Sequence, residues 1–358
     1  MSLWSTGKSV GGGGSIHSMI RTLFIHTYKD IISVENILVA WREFLKGKKQ
    51  RKDVLVFEQN LMTNIIDLHN DLKNKTYKHS EYKAFKINDP KPRDIHKASV
   101  RDRLLHHAIY RVLYPYFDTK FIYDSYSCRL EKGAHRALDR FKYFGNKISK
   151  NNTKTCYILK CDIRKFFANI DHQILKSILA KYIEDEDIIW LLNQIIDSFQ
   201  TNMDTNSAMA EFVSIKEKGL PLGNLTSQLL VNIYMNEFDQ FVKRELKVKY
   251  YERYADDFVI FSEDKEYLED ILIKMEEFLG NKLKLQMHPD KVFIKTLSSG
   301  IDFLGWINFP KHRVLRTATK KRMFRNLKGN DNKKESVNSY LGMLSHGSGY
   351  KLEIKIKK

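Results

Sequence analysis

Two adjacent acids, Asp256 and Asp257, interrupt a β-prone run, Tyr254-Ala255-Asp256-Asp257-Phe258-Val259-Ile260-Phe261. Neighbouring residues on a strand point to opposite faces. Both acids can therefore approach one ion only at a tight turn, and the segment predicts a hairpin tip between two short strands. Carboxylates beside an apolar sheet are costly unless something neutralises them. A divalent cation does so, and Mg2+ accepts oxygen ligands while leaving room for phosphates. A third acid, Asp162, ends another apolar run, Cys156–Ile163. An isolated Asp-Asp is an ordinary turn and an isolated Asp162 an ordinary helix cap; the apolar flanks on both motifs favour a shared ion site.

Charge narrows the partner. The chain has 358 residues, 42% hydrophobic, with a formal net charge of +18, enough for two or three lobes with cores. Such a balance favours a polyanion, nucleic acid ahead of a membrane surface. Residues 311–358 hold 14 Lys/Arg against 3 Asp/Glu. Met323, Phe324, Leu327, Tyr340, Leu341 and Leu344 within them argue for folded helices over a solvated tail. Cys128, Cys156 and Cys161 have no metal-type spacing and make no disulfide framework, so a reduced, cytoplasmic protein is expected. No run of 18 apolar residues occurs, so no transmembrane helix is expected. Residues 1–18, with Gly11-Gly12-Gly13-Gly14-Ser15, read as an expression linker ahead of Met19.

Periodicity predicts helices over 34–47, 56–73, 100–117, 171–182, 186–199, 226–246 and 264–279, and a loop or hairpin over 200–218. Strands are expected at 82–88, 156–163, on both sides of 255–257, and near 283–287, 292–296 and 301–308. The prolines of Asp89-Pro90-Lys91-Pro92-Arg93 stop the first strand. The pattern is α+β: a small sheet, helices behind it and a helical, basic appendage.

The block Asp162-Ile163-Arg164-Lys165-Phe166-Phe167-Ala168-Asn169-Ile170-Asp171-His172, taken with Tyr254–Asp257, resembles the reverse transcriptase family. The likeness covers roughly residues 80–350. It implies a right-hand polymerase, with N-terminal helices and fingers over 19–155, mainly palm over 156–310 (a small antiparallel sheet with helices behind, some fingers elements interleaved) and a helical thumb over 311–358. It implies RNA-directed DNA synthesis with template RNA, primer, RNA–cDNA duplex and deoxynucleoside triphosphates. Asp162, Ile163, Asp256 and Asp257 would hold two Mg2+ ions, with Mn2+ as a substitute, about 3.5–4 Å apart so as to activate the primer hydroxyl and stabilise pyrophosphate.

The same resemblance assigns the nucleotide to Lys91, Arg93, Phe167, Leu222 and Gly223. Arginine's planar fork suits phosphate, and Phe167 resembles the aromatic gate against a 2′-hydroxyl. Lys291, in Pro289-Asp290-Lys291, resembles the general acid for pyrophosphate; a plain surface lysine is the alternative. Phe303-Leu304-Gly305-Trp306 resembles the primer grip. Lys320, Lys321, Arg322, Arg325 and Lys328 would follow the duplex backbone. Arg101-Asp102-Arg103 reads equally as a surface ion-pair cluster. Tyr126–Arg129 and Gly133-Ala134-His135 match template-side structure, and Ser339–Gly347 the end of a thumb.

One block departs from the common pattern. Gly219-Leu220-Pro221-Leu222-Gly223-Asn224-Leu225-Thr226-Ser227-Gln228 has Leu222 where most reverse transcriptases carry Gln, and Gln228 where they carry Pro. This form is similar to the polymerases of diversity-generating retroelements. That implies mutagenic retrohoming, errors at template adenines, a bacterial or phage source and a small basic oligomeric accessory protein. A Gln amide can hydrogen-bond the incoming nucleotide; leucine cannot, which removes a polar check on mispairs. Alternatives are a group II intron-like, retron-type or defence-associated reverse transcriptase and, in another class, an inactive RNA-binding scaffold, against which the intact acid triad stands.

Overall fold

The structure is a computed structural model that describes residues 24–88, 92–199, 217–329 and 334–357. The N-terminal layer is helical: α1 (Tyr28–Ile32), α2 (Val34–Phe44), α3 (Lys52–Gln59) and α4 (Leu61–Lys73). The single helix expected over 56–73 is two, because Asn60 leaves helical geometry at φ −120°, ψ 39°. Asn competes with the helix backbone through its own short amide, so such a break is natural there. An antiparallel ribbon follows, β1 (Lys83–Ile87) paired with β2 (Arg93–Lys97). β2 carries only Ile95 as an aliphatic, which hid it from periodicity. Then come α5 (Val100–Asp118), capped by the Ser99 hydroxyl, and α6 (Ala134–Ile148). The expectations missed α6, although Ala137, Leu138, Phe141 and Phe144 make its buried stripe.

The centre is built from β3 (Tyr157–Asp162), α7 (His172–Ala180), α8 (Glu186–Asp197), α9 (Leu225–Gln240), β4 (Tyr251–Tyr254), β5 (Asp257–Ser262), α10 (Lys265–Leu283) and β6 (Phe293–Thr296). The side chains of Asp171 and Asp185 accept from the first amides of α7 and α8, which fixes where both helices start. Twelve of the sixteen residues of α9 are buried, the mark of a helix enclosed on all sides. Its expected course to Leu246 changes at Phe241, where a π turn over Phe241–Glu245 widens the last turn. No strand forms at 283–287. Leu283 ends α10, Lys284 turns left-handed at φ 51°, and only Met287 makes a bridge, to Ile163. The loop expected over 200–218 lies outside the described residues except for its last two.

The sheet order is β4-β5-β3-β6, antiparallel at each pairing, with Asp162 opposite Asp257. Both faces are covered, so the two central strands read as nearly continuous apolar runs. One face puts Leu159, Cys161, Phe258 and Ile260 into the core shared with the helices. The other puts Ile158, Val259 and Phe261 into a second core with Phe141 and Phe144 of α6. Each fully buried side chain of this size contributes roughly 1.5–3 kcal/mol. The second core extends to a three-stranded sheet, β7 (Ile301–Phe303), β8 (Trp306–Asn308) and β9 (Arg313–Leu315), and to α11 (Thr317–Gly329), α12 (Lys334–Leu344) and α13 (Tyr350–Lys357).

Candidate active site

Asp162 and Asp257 sit on the second face of the central sheet, where the alternation Ile158, Lys160, Asp162 runs out of the core into a cleft, while Asp256 stands in the adjoining turn, outside the cleft lining. Tyr254 pairs with Asp257, so Ala255 and Asp256 form a two-residue hairpin loop. Ala255 takes φ 56°, a position that usually favours glycine. Holding alanine there costs on the order of 1–3 kcal/mol and requires support from its surroundings. The support is visible: Arg253 Nη1 donates to the Ala255 carbonyl at 3.0 Å. The Ile163 amide donates to the Asp256 carbonyl at 3.1 Å, and the His288 amide to the Asp162 carbonyl at 2.7 Å.

Arg253 is itself fixed. It lies fully buried against Asp239, donating from Nε at 2.8 Å and Nη2 at 2.6 Å. The Tyr251 hydroxyl donates to the same carboxylate at 2.7 Å. Tyr251, Arg253 and Asp239 thus form a buried polar group behind the turn, with the bidentate contact arginine–carboxylate pairs prefer, and Arg253 also reaches Ser125 and Asn232.

Like charges placed directly opposite on a sheet repel, and Asp162 faces Asp257 with Asp256 next to it. Burial pushes the Asp257 carboxyl up to about 7, with Asp256 and Asp162 adding to the shift and Lys160 opposing it. Burial and then Asp162 also raise Asp256, against Lys291 and Arg93. Two lysines answer the charge. Lys291 Nζ donates to Asp162 Oδ1 at 2.8 Å, and Lys160 Nζ stands 2.9 Å from Asp257 Oδ1. That second contact is ionic, since the oxygen makes no aligned hydrogen bond. Among the described residues, no three His, Cys, Asp or Glu side chains already close around a point where an ion would sit. The donor set still fits a hard divalent ion: carboxylate oxygens only, mutually repelling, on a strand end and a hairpin. Ile163 can offer only its backbone, because its side chain is buried in the core.

The cleft has a volume of about 950 Å³. It gathers Arg93, Asp162, Asp257 and Lys291 with Leu304, Gly305 and Trp306 and with Lys321, Arg322 and Arg325 of α11. The hairpin is a two-residue loop with Leu304 at φ 52° and Gly305 at φ 84°, the type I′ pattern that matches strand twist. Phe303 points away, buried against Phe141 at 5.5 Å between ring centres. Lys321, Arg325 and Lys328 share one stripe of α11, while Met323 and Leu327 face the core; Lys320 and Lys328 are exposed but do not line the cleft.

Phe167, Leu222 and Gly223 stand outside the cleft lining. Phe167 packs half-buried on the larger core. Leu222 is half-buried rather than a core residue, and its carbonyl accepts from the His96 amide at 3.2 Å. The neighbouring Asn224 amide donates to the His96 carbonyl at 3.1 Å, so this block is stitched to β2. Lys91 lies outside the described residues. Arg101 and Arg103 pair with Asp71 and Asp53, but Asp102 between them is fully buried and accepts from Tyr77 and Ser99, so the cluster expected at the surface is partly a core one. Reading the sequence missed Lys160. Its signal was present: a lysine in an apolar strand two residues before Asp162 must share its face.

A model of the family described as reverse transcriptase (RNA-dependent DNA polymerase) matches residues 83–308, well over half the chain. The chain belongs to this family. Among curated relatives, Protein YkfC of Escherichia coli (strain K12) is 26% identical over 250 residues, covering 61% of this chain and 62% of its own length. The group II intron-encoded protein LtrA of Lactococcus lactis subsp. cremoris is 24% identical over 376 residues, covering 85% of this chain and 59% of its own. The chain therefore spans about three fifths of the length of these relatives. Among solved structures, telomerase from Candida Tropicalis in complex with a fragment of telomeric RNA aligns with a TM-score of 0.48 at 13% identity, over 74% of this chain and 51% of that one. The chain is α+β, and the described residues include no helix long and apolar enough to cross a membrane.

Proposed function

We propose that the protein is an RNA-directed DNA polymerase whose reaction centre is the cleft around Asp162, Asp256 and Asp257. The observation that carries this is the convergence, in one cleft, of acids from two strands, the Leu304–Trp306 hairpin and the α11 cations. Asp162, Asp256 and Asp257, with the backbone at Ile163, would hold two divalent ions, Mg2+ or Mn2+. Bound there, the ions supply an activated primer 3′-hydroxyl and charge stabilisation for pyrophosphate. Arg93, with Lys91, binds the triphosphate. Lys291, held beside Asp162, is placed to give a proton to the departing pyrophosphate. Leu304, Gly305 and Trp306 seat the primer end, and Lys321, Arg322, Arg325 and Lys328 follow the backbone of template RNA and cDNA. The fingers, palm and thumb take the boundaries drawn from the sequence, near residues 155 and 310.

At finer grain we place it with the polymerases of diversity-generating retroelements, on the Leu222-Gly223-Asn224 block and Gln228. Leu222 is half-buried on a segment tied to β2, which also bears Arg93, so it stands near the nucleotide side with only apolar contact to offer. Low fidelity, mutagenic retrohoming and a basic accessory protein belong to that reading. The group II intron-type reading draws support from LtrA, matched over 85% of this chain.

Primer extension on an RNA template with Mg2+ and four deoxynucleotides tests both levels, beside an Asp256→Ala/Asp257→Ala control. Extension that vanishes in the control supports the polymerase. Errors gathered at template adenines and reduced by Leu222→Gln support the retroelement reading; accurate copying moves the protein to the intron type. Silence with cognate RNA and accessory protein supplied sinks the polymerase.

A further inference from the structure

A second concavity lies at the far end of the three-stranded sheet. It has a volume of about 270 Å³ and sits between α6, the 309–312 turn and the 345–348 turn. Two sequence blocks with no part in the cleft chemistry meet beside it, since the rings of His135 and His346 stack at 3.6 Å between centres. The approach depends on Gly347. A Cβ there would come within 2.2 Å of Trp306 and 3.0 Å of the Arg313 carbonyl. The Ser348 amide donates to that same carbonyl at 2.9 Å, so the turn is fastened to β9.

The walls combine two chemistries. Lys142, Lys311 and Arg313 bring positive charge. Arg313 Nη2 is spent on Asp139 at 2.7 Å, but its Nη1 is buried with no partner among the described residues. Having no accessible surface, that nitrogen does not itself meet a ligand, so Arg313 brings charge to the wall while the exposed Lys142 and Lys311 supply the donors for phosphate. Phe309 and His312 stack at 4.9 Å and line the same concavity. The exposed His312 ring and the half-buried Phe309 ring beside cations are elements that can hold a single nucleotide by stacking and charge. The volume is just below that of small-molecule pockets, roughly 300–1,000 Å³, which limits the occupant to no more than about one nucleotide unit and excludes a duplex.

We propose that this cavity is a second nucleotide-binding site, taking one phosphate-bearing nucleotide unit, with the phosphate on Lys142 and Lys311 beside Arg313 and the base on Phe309 and His312. It goes beyond the polymerase reading, because none of its residues lines the cleft. The unit has two sources, a strand leaving the cleft or a free nucleotide. Phe309 lies four residue steps beyond Gly305, across strand β8, about 13 Å at ~3.3 Å per residue. That is about four steps of a nucleic-acid strand at ~3.4 Å each.

The test compares Lys142→Glu/Lys311→Glu with Lys274→Glu/Lys282→Glu, which changes net charge equally on the exposed side of α10. Both double variants are first checked for unchanged circular dichroism and melting temperature. Adenosine monophosphate is titrated by calorimetry, and a fluorescein-labelled single-stranded RNA by anisotropy at several salt concentrations. The expected result is at least a tenfold weaker dissociation constant for one probe in the cavity variant relative to the α10 variant. For RNA, the salt slope should also fall by about two. Loss of monophosphate binding identifies a free nucleotide; loss confined to RNA identifies a strand. Equal weakening in both variants, or none in either, overturns the proposal. These readouts need no catalysis, so they stand whether or not primer extension succeeds.

Discussion

Removing Asp239 strands a guanidinium. In Asp239→Ala, Arg253 remains fully buried and loses both bonds to its carboxylate, while the Tyr251 hydroxyl loses its acceptor. Breaking a buried pair from one side costs about 3–5 kcal/mol, a large share of the ~5–15 kcal/mol that holds a typical protein folded. Asp239→Leu/Arg253→Met strands no charge, yet Tyr251 and the Ala255 carbonyl lose partners, so about 2 kcal/mol should be lost. Stability and activity then part. The double variant recovers part of the stability, but the Ala255–Asp256 loop has lost its 3.0 Å anchor. A hydrogen bond from a charged donor is worth about 1.5–3 kcal/mol, so primer extension should drop by about 10- to 100-fold. Urea denaturation followed by tryptophan fluorescence gives the first quantity, single-turnover extension the second. A single variant within 1 kcal/mol of the parent, or a double variant extending at the parent rate, would refute the claim that this buried group positions the turn.

Gly223→Ala should lower the melting temperature by about 2 °C or more, since Gly223 holds φ 104° and a Cβ would stand 3.1 Å from Ile95; an unchanged melt would show that the β2 contact tolerates a relaxed turn. Acid should weaken the packing of α5 through His106, which burial, then His79, holds down at about 3. A depressed folded-state value means this contribution is complete above the unfolded value near 6.5 and is lost as pH falls from there towards 3. At pH 5 the loss is roughly 2 kcal/mol, and His107, lowered to about 4 by burial first, adds in the same direction. Urea midpoints at pH 7 and pH 5 should separate less in His106→Leu than in the parent; an equal separation would clear His106 of the effect.

The hairpin tip was legible because two acids in a β-prone run leave the chain few options, and Asp162 because it ends a run of the same kind. Their partners were not equally legible. Lys160 was readable by strand alternation, whereas the link from Arg253 to Asp239 joins a strand to a buried helix and leaves no local trace. The ribbon strand β2 hid because its polar residues, none of them fully buried, carry no period. The π turn at Phe241 hid because its residues are ordinary helix formers. The cleft's cations were readable as a basic helix, but which of them face the acids depends on the packing of Met323 and Leu327.

The ribbon has a consequence for dynamics. All five residues of β1 are exposed, and so is the outer end of β2, while its inner end is tied down through His96, Leu222 and Asn224. A two-stranded hairpin has little stability of its own in water. It should therefore open locally, far below the free energy of global unfolding, with the Ile87–Arg93 end exchanging its amide hydrogens first and the His96 end last. Whatever settles against Arg93 closes that free end, so the exchange rate of these few amides is an occupancy gauge built into the chain.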